Sequence, residues 1–173
     1  MPGRTVPPVC LLVTSDPGVG PCLTEGMTTT SGRLIGVGYE GLDLDQFVMR
    51  LRLREVDIVA DVRLTPISRK RGFAKRALSE RLAAEGIEYR HLRALGNPKE
   101  NRAGFAAEGA DGLESRRRYA SLLEADGANA CLQELVDVSA TKTVALLCFE
   151  ADESRCHRSV VLDALRRRSL SYA

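Results

Sequence analysis

Tryptophan is absent from this 173-residue chain, and aromatic residues make up only 5% of it. Few flat side chains are therefore offered for stacking bases, which counts against a dedicated binder of single-stranded nucleic acid. No run of eighteen apolar residues occurs, so no membrane span is expected. There is no internal repeat, no low-complexity tract and no phosphate-binding Walker loop. The five cysteines are odd in number and widely spaced, unlike the disulfide framework of a small secreted domain. A location in the cytoplasm is the corresponding expectation.

What is present fits one globular domain, with 44% hydrophobic and 28% charged residues. Residues 1–31 stand apart. They carry Pro2, Pro7, Pro8, Pro17 and Pro21, show little periodicity, and read as a flexible N-terminal extension. Their apolar piece "VCLLV" is too short for the core of a signal peptide. Met27 is a second plausible start.

From residue 32 onward the pattern becomes regular. Short apolar runs at Leu34 to Gly38, Val56 to Val62, Ile87 to Leu92 and Lys142 to Phe149 read as strands. Between them lie helical patterns. Asp43 is placed to cap the first, in which Leu44, Phe47, Val48 and Leu51 repeat at helical spacing. A second runs from about Ala74 to Glu85 and is closed by Gly86. Two more fall near Leu113 to Leu123 and Ala128 to Val138, with Cys131 on the apolar stripe of the latter. A last helix starts near Cys156. The stretch "GNPKENRAG" reads as a long polar connection. Alternating strands and helices predict a three-layer α/β/α domain over residues 32–173, with a mainly parallel sheet of about four or five strands.

Ligands of such sheets settle beyond the carboxyl ends of the strands. Here those ends carry Tyr39 and Glu40, then Asp61, Arg63, Ser68 and Arg69, then His91, then Cys148 and Glu150. Arg63 and Arg69 have the planar fork that grips a phosphate or carboxylate; the alternative for Arg63 is a structural pair with Asp61. Ser68 either donates to the same anion or stabilises the turn after Pro66, and His91 is either a site group or a packed histidine. Net charge is only +2, but five basic residues and no acidic ones lie between Arg69 and Arg76. Such a run is either a solvated helix face or a patch that attracts anions.

The segment "LLCFEADESRCHR", Leu146 to Arg158, has the most specific chemistry. It places Cys148 where the chain leaves its strand and Cys156 in the first turn of the last helix, capped by Asp152 or Ser154. A thiol there feels the positive end of the helix dipole, and Arg155, His157 and Arg158 add to it. Cys156 is thus a candidate nucleophile with Cys148 as its partner; the alternative is two buried, inert cysteines. A metal site is disfavoured, because seven residues separate the cysteines and helical neighbours such as Cys156 and His157 point apart. The cysteine-phosphatase loop is excluded, since six residues rather than five separate Cys148 from Arg155.

Four segments in order, "IGVGYEG", "DVRLTPISR", "GIEYRHLRALGNP" and "LLCFEADESRCHR", resemble the domain-of-unknown-function family numbered 488, over roughly Leu34 to Arg167. The resemblance implies a small bacterial α/β protein. Its motif residues fall on Gly36, on Asp61, Arg63, Pro66, Ser68 and Arg69, on Tyr89, Leu95 and Gly96, and on Cys148, Glu150, Cys156, His157 and Arg158. Glu153 departs from the family, which often has proline there. The family supplies no reaction, cofactor or oligomeric state.

Three functions follow as expectations. The first is an enzyme using thiol chemistry on an anionic, phosphate- or carboxylate-bearing substrate, a nucleotide included. Cys156 or Cys148 is its nucleophile, Glu150 or His157 its acid or base, and Arg63, Ser68, Arg69 and Arg158 its anion-binding groups. The second is a binding module for nucleic acid or a phosphorylated ligand through Arg69, Lys70, Arg71, Lys75 and Arg76. The third is a metal or haem site on Cys148, Cys156 or His157.

Overall fold

The computed structural model describes residues 33–107 and 109–171. The N-terminal extension expected over residues 1–31, with Cys10 and Cys22, lies outside them.

Four strands form one parallel sheet: β1 (Arg33–Gly38), β2 (Ile58–Asp61), β3 (Glu88–His91) and β4 (Thr143–Cys148), in the spatial order β1-β4-β2-β3. The most apolar run of the sequence, β4, is buried along its whole length between β1 and β2. Continuous hydrophobicity is what a parallel strand covered on both faces requires. Register sets Gly38 of β1 beside Cys148 and Asp61 of β2 beside Leu147. The carboxyl ends of three strands thereby meet at one rim.

Helices α1 (Leu44–Leu53) and α2 (Lys75–Ala83) cover one face. Phe47, Val48, Leu51, Leu78 and Leu82 pack there on Val37, Val59, Ala145 and Leu147. Asp43 starts α1 as its sequence position predicts: Oδ1 accepts the Gln46 N–H at 2.8 Å, and Gln46 Oε1 accepts the Asp43 N–H at 3.0 Å. Helices α4 (Gly109–Leu122), α5 (Asp126–Ser139) and α6 (Arg158–Ser171) cover the other face. Tyr119, Leu132, Leu135, Val161 and Leu165 pack there on Ile58, Ala60, Val144 and Leu146. Burial of each such large side chain contributes roughly 1.5–3 kcal/mol. The result is the expected three-layer α/β/α fold, with four strands. Among the described residues no helix is long and apolar enough to cross a membrane.

Two local expectations are corrected. The stretch read as a polar connection contains helix α3 (Lys99–Ala106), which follows directly on Pro98. Proline at a helix start costs nothing, because the missing N–H would be unpaired there anyway. The last helix begins at Arg158 rather than near Cys156. Asp152 caps a short 3-10 helix, Glu153–Arg155, and Cys156 follows it in extended backbone, with φ −126° and ψ 145°.

Candidate functional site

Where the ends of β1, β2 and β4 converge, a cavity of about 510 Å³ opens. Its floor is made by Cys148, Cys156 and His157, and Glu150, Phe105 and Phe149 stand on its walls. The loop after β2 contributes Arg63, Leu64, Thr65 and the stretch from Ile67 to Lys70, α3 contributes Arg102, and the turn before α6 contributes Arg155.

On the floor, His157 Nε2 lies 3.0 Å from the carbonyl oxygen of Val62. A carbonyl only accepts, so the ring proton sits on Nε2 and the lone pair of neutral His157 is on Nδ1. That lone pair faces both thiols, at 3.8 Å from Cys148 Sγ and 3.7 Å from Cys156 Sγ. The three donor atoms lie within 4.8 Å of one another, and all three residues are buried. Cys156 and His157 do not point apart as helical neighbours would, because both precede the helix that begins at Arg158. Extended backbone at Cys156 turns its sulfur toward the imidazole.

The hydrogen bond between the two cysteines and burial together push the Cys148 thiol well above its ordinary range, although His157 works the other way. Burial opposes ionisation of Glu150, but hydrogen bonds from Cys148, its own backbone N–H and Cys156 outweigh it and hold the carboxyl below the usual glutamate range. Oε2 of Glu150 is buried without a hydrogen-bond partner.

Arg63 is a structural group. Its Nε donates to Asp61 Oδ1 and Oδ2 at 2.9 and 3.1 Å, and its Nη1 to the Tyr39 hydroxyl and the Phe73 carbonyl, both at 2.9 Å. Tyr89 donates to Asp61 Oδ2 at 2.6 Å. The alternative of an Asp61–Arg63 pair is the one realised, and the fork of Arg63 is not free for a substrate. Tyr39 lines the cavity but is held by this network and by stacking on Phe73, with ring centroids 4.2 Å apart.

Two further sequence candidates lie off the cavity. His91 Nε2 is 3.0 Å from the Arg63 carbonyl, and the residue is absent from the lining. Arg158 is 1% exposed and does not line the cavity either. It donates to Cys156 Sγ at 3.6 Å and to the Ala151 carbonyl at 3.2 Å. Arg158 therefore supports the sulfur from the protein side rather than gripping a ligand from the open side.

The groups that can meet an anion are Ser68, Arg69, Lys70, Arg102 and Arg155. Ser68 Oγ accepts the Lys70 N–H at 3.1 Å, so it also shapes its turn. Lys70 reaches back to the Tyr39 carbonyl at 3.3 Å, and Arg102 Nε donates to the Asn97 carbonyl at 3.1 Å. The basic run is thus divided. Arg69 and Lys70 face the cavity, whereas Arg76 pairs with Glu80 at 2.8 Å on exposed α2.

A family model described as "Domain of unknown function DUF488" matches residues 43–165, well over half of the chain. The chain belongs to the DUF488 family. No curated protein and no solved structure matches it.

The matched span holds every cysteine and histidine of the DUF488 site floor and all of its cationic rim, but begins after β1 and Tyr39. Sequence reasoning missed Arg102, Asn97 and Phe105 in this DUF488 chain, because all three hang on the unforeseen α3 or the turn leading to it. The signal was Asn97–Pro98, which can start a helix as well as a loop. In sequence Arg155 reads only as a neighbour of the thiols, whereas it lines the cavity itself.

Proposed function

We propose that this DUF488 protein is an enzyme that binds an anionic substrate in the rim-side cavity and transforms it at the Cys148–Cys156–His157 centre. The observation that carries this reading is the convergence of two thiols on Nδ1 of one buried histidine, in a cavity with a cationic rim. Arg69, Arg102 and Arg155 supply charge and forked donors for a phosphate or carboxylate. Nδ1 of His157 is the acceptor for a thiol proton, and the transfer leaves a thiolate, the form of sulfur that attacks electrophiles and holds metals. The cavity of about 510 Å³ is in the range of small-molecule sites and has room for a nucleotide-sized ligand.

The test is consumption of substrate. Wild-type protein and the Cys148→Ser and Cys156→Ser variants are each incubated with a panel of phosphate- and carboxylate-bearing metabolites, nucleotides included, and followed by mass spectrometry. Turnover of at least one compound by the wild type, lost in both variants while their circular dichroism stays native, is the expected result. No turnover across the panel, or equal turnover by both variants, overturns the reading.

A further inference from the structure

The geometry points to a metal centre: we propose that Cys148 Sγ, Cys156 Sγ and His157 Nδ1 bind one zinc ion and leave the fourth corner of its tetrahedron open to the cavity. This rests on the proposed site but not on its substrate.

The spacing of the donors is the first argument. Zinc takes sulfur at about 2.3 Å and imidazole nitrogen at about 2.0–2.1 Å, so a tetrahedral sulfur–nitrogen edge measures roughly 3.5–3.6 Å. The two observed edges are 3.8 and 3.7 Å, and all three atoms fall within 4.8 Å. The two sulfur–nitrogen edges therefore come within a few tenths of an ångström of those of a zinc tetrahedron. Extended backbone at Cys156 already separates its sulfur from the helix that follows.

The surroundings are those of a ligand set. A metal-binding imidazole is held by a hydrogen bond from its other nitrogen, and His157 Nε2 has that bond to Val62. Arg158, 1% exposed, directs Nη1 at Cys156 Sγ from the side away from the cavity, which suits a sulfur carrying negative charge. Two sulfurs and an imidazole select a soft or borderline ion over magnesium or calcium, which take oxygen. When the ion binds, two thiol protons leave to solvent and two thiolates balance its charge of two.

The open corner follows from the residues that are not in the cluster. Among the described residues no fourth histidine, cysteine or carboxylate joins the three. Glu150 lines the same cavity, and its Oε2 is buried and unpartnered. It stands beside the corner, as the group a bound water or substrate atom would meet. Three protein ligands with one open position is the arrangement of catalytic rather than structural zinc.

The experiment is metal analysis of the full chain, purified without a histidine tag from zinc-supplemented cells, with cobalt titration of the metal-free protein. About one zinc per chain is expected in the wild type, in Cys131→Ser and in Glu150→Gln, and loss of stoichiometric zinc in Cys148→Ser and Cys156→Ser. Added cobalt should give a thiolate-to-metal charge-transfer absorption in the wild type, which keeps the proposal testable if a serine variant fails to fold. Absence of both zinc and that absorption, zinc retained in both serine variants, or a different metal at stoichiometry each overturns the zinc assignment. Substrate turnover by a protein that takes up neither zinc nor cobalt would overturn zinc while leaving the enzyme reading in place. Stoichiometric zinc with no substrate consumed would leave the centre standing and overturn the enzyme reading alone.

Discussion

The guanidinium of Arg63 forks onto the carboxylate of Asp61, two residues before it at the end of β2, and the two side chains are only 7% and 0% exposed. Breaking a buried pair leaves a charge without a partner and costs about 3–5 kcal/mol. Arg63→Ala is expected to lose that much stability in urea denaturation. Arg63→Lys should recover little of it, because an ammonium cannot reproduce the fork onto Asp61 together with the bonds to Tyr39 and Phe73. A loss below about 1 kcal/mol in Arg63→Ala would mean that the loop is held by other contacts.

Gly38 ends β1 directly against the turn that follows Cys148. A Cβ on Gly38 would lie 1.9 Å from the carbonyl oxygen of Glu150 and 3.0 Å from the Ala151 Cα, both backbone atoms. The N–H groups of Tyr39 and Glu40 are bonded to the Phe149 carbonyl at 3.1 and 2.9 Å, so the two segments cannot separate freely. Gly38→Ala should therefore destabilise by about 1–3 kcal/mol or more and change the rate at which Cys148 is alkylated. Gly41→Ala is the control. At φ +76° with open space around it, the expected cost is only backbone strain, about 1–2 kcal/mol. Thermal denaturation of the two variants compares them, and equal losses would remove the steric argument.

All four strands were readable because each is a short apolar run bounded by turn residues, a pattern that a parallel sheet imposes. The order β1-β4-β2-β3 was not, since nothing local to a strand names its neighbour. The site was half readable. Cys148 and Glu150 are placed by the strand itself, and a strand end is a local property. Cys156 depends on where a helix begins, and the short 3-10 helix at Glu153–Arg155 displaced that start by two residues. Helix boundaries are set by small differences in capping, so the direction of Cys156 was the least determined feature of its segment. Arg63 and Arg158 carry ambiguous chemistry in sequence. Only tertiary contact shows that one holds Asp61 and the other a sulfur.

Cys148 also makes stability depend on pH in the metal-free protein. Its hydrogen bond with Cys156 and its burial raise the thiol above the ordinary value of about 8.5. In the unfolded chain the thiol loses its proton near that value, while the folded chain keeps it. The unfolded state then binds fewer protons, so this contribution is present below the unfolded pKa and is lost as pH rises through the folded one. Urea denaturation at pH 8 and pH 10, in the presence of a chelator, should show a fall in the wild type that is smaller in Cys148→Ser. Parallel falls in the two proteins would assign the pH dependence to other groups.

The proposed anion-binding cavity and a merely basic surface differ in which arginines they use. Arg102 and Arg155 line the cavity and are exposed, so each can turn a guanidinium onto a ligand. A charge-assisted hydrogen bond is worth about 1.5–3 kcal/mol, so Arg102→Ala and Arg155→Ala should each weaken pyrophosphate binding by roughly tenfold or more in calorimetry at low salt. Arg76→Ala should leave it unchanged, because Arg76 lies outside the lining and is paired with Glu80. Added salt should lower the affinity of the wild type, since an exposed rim is screened over about 10 Å at 0.1 M ionic strength. If Arg76→Ala weakens binding as much as Arg155→Ala, the anion is held by the basic run as a whole. That outcome favours an extended polyanion on the surface over a small ligand above the thiols.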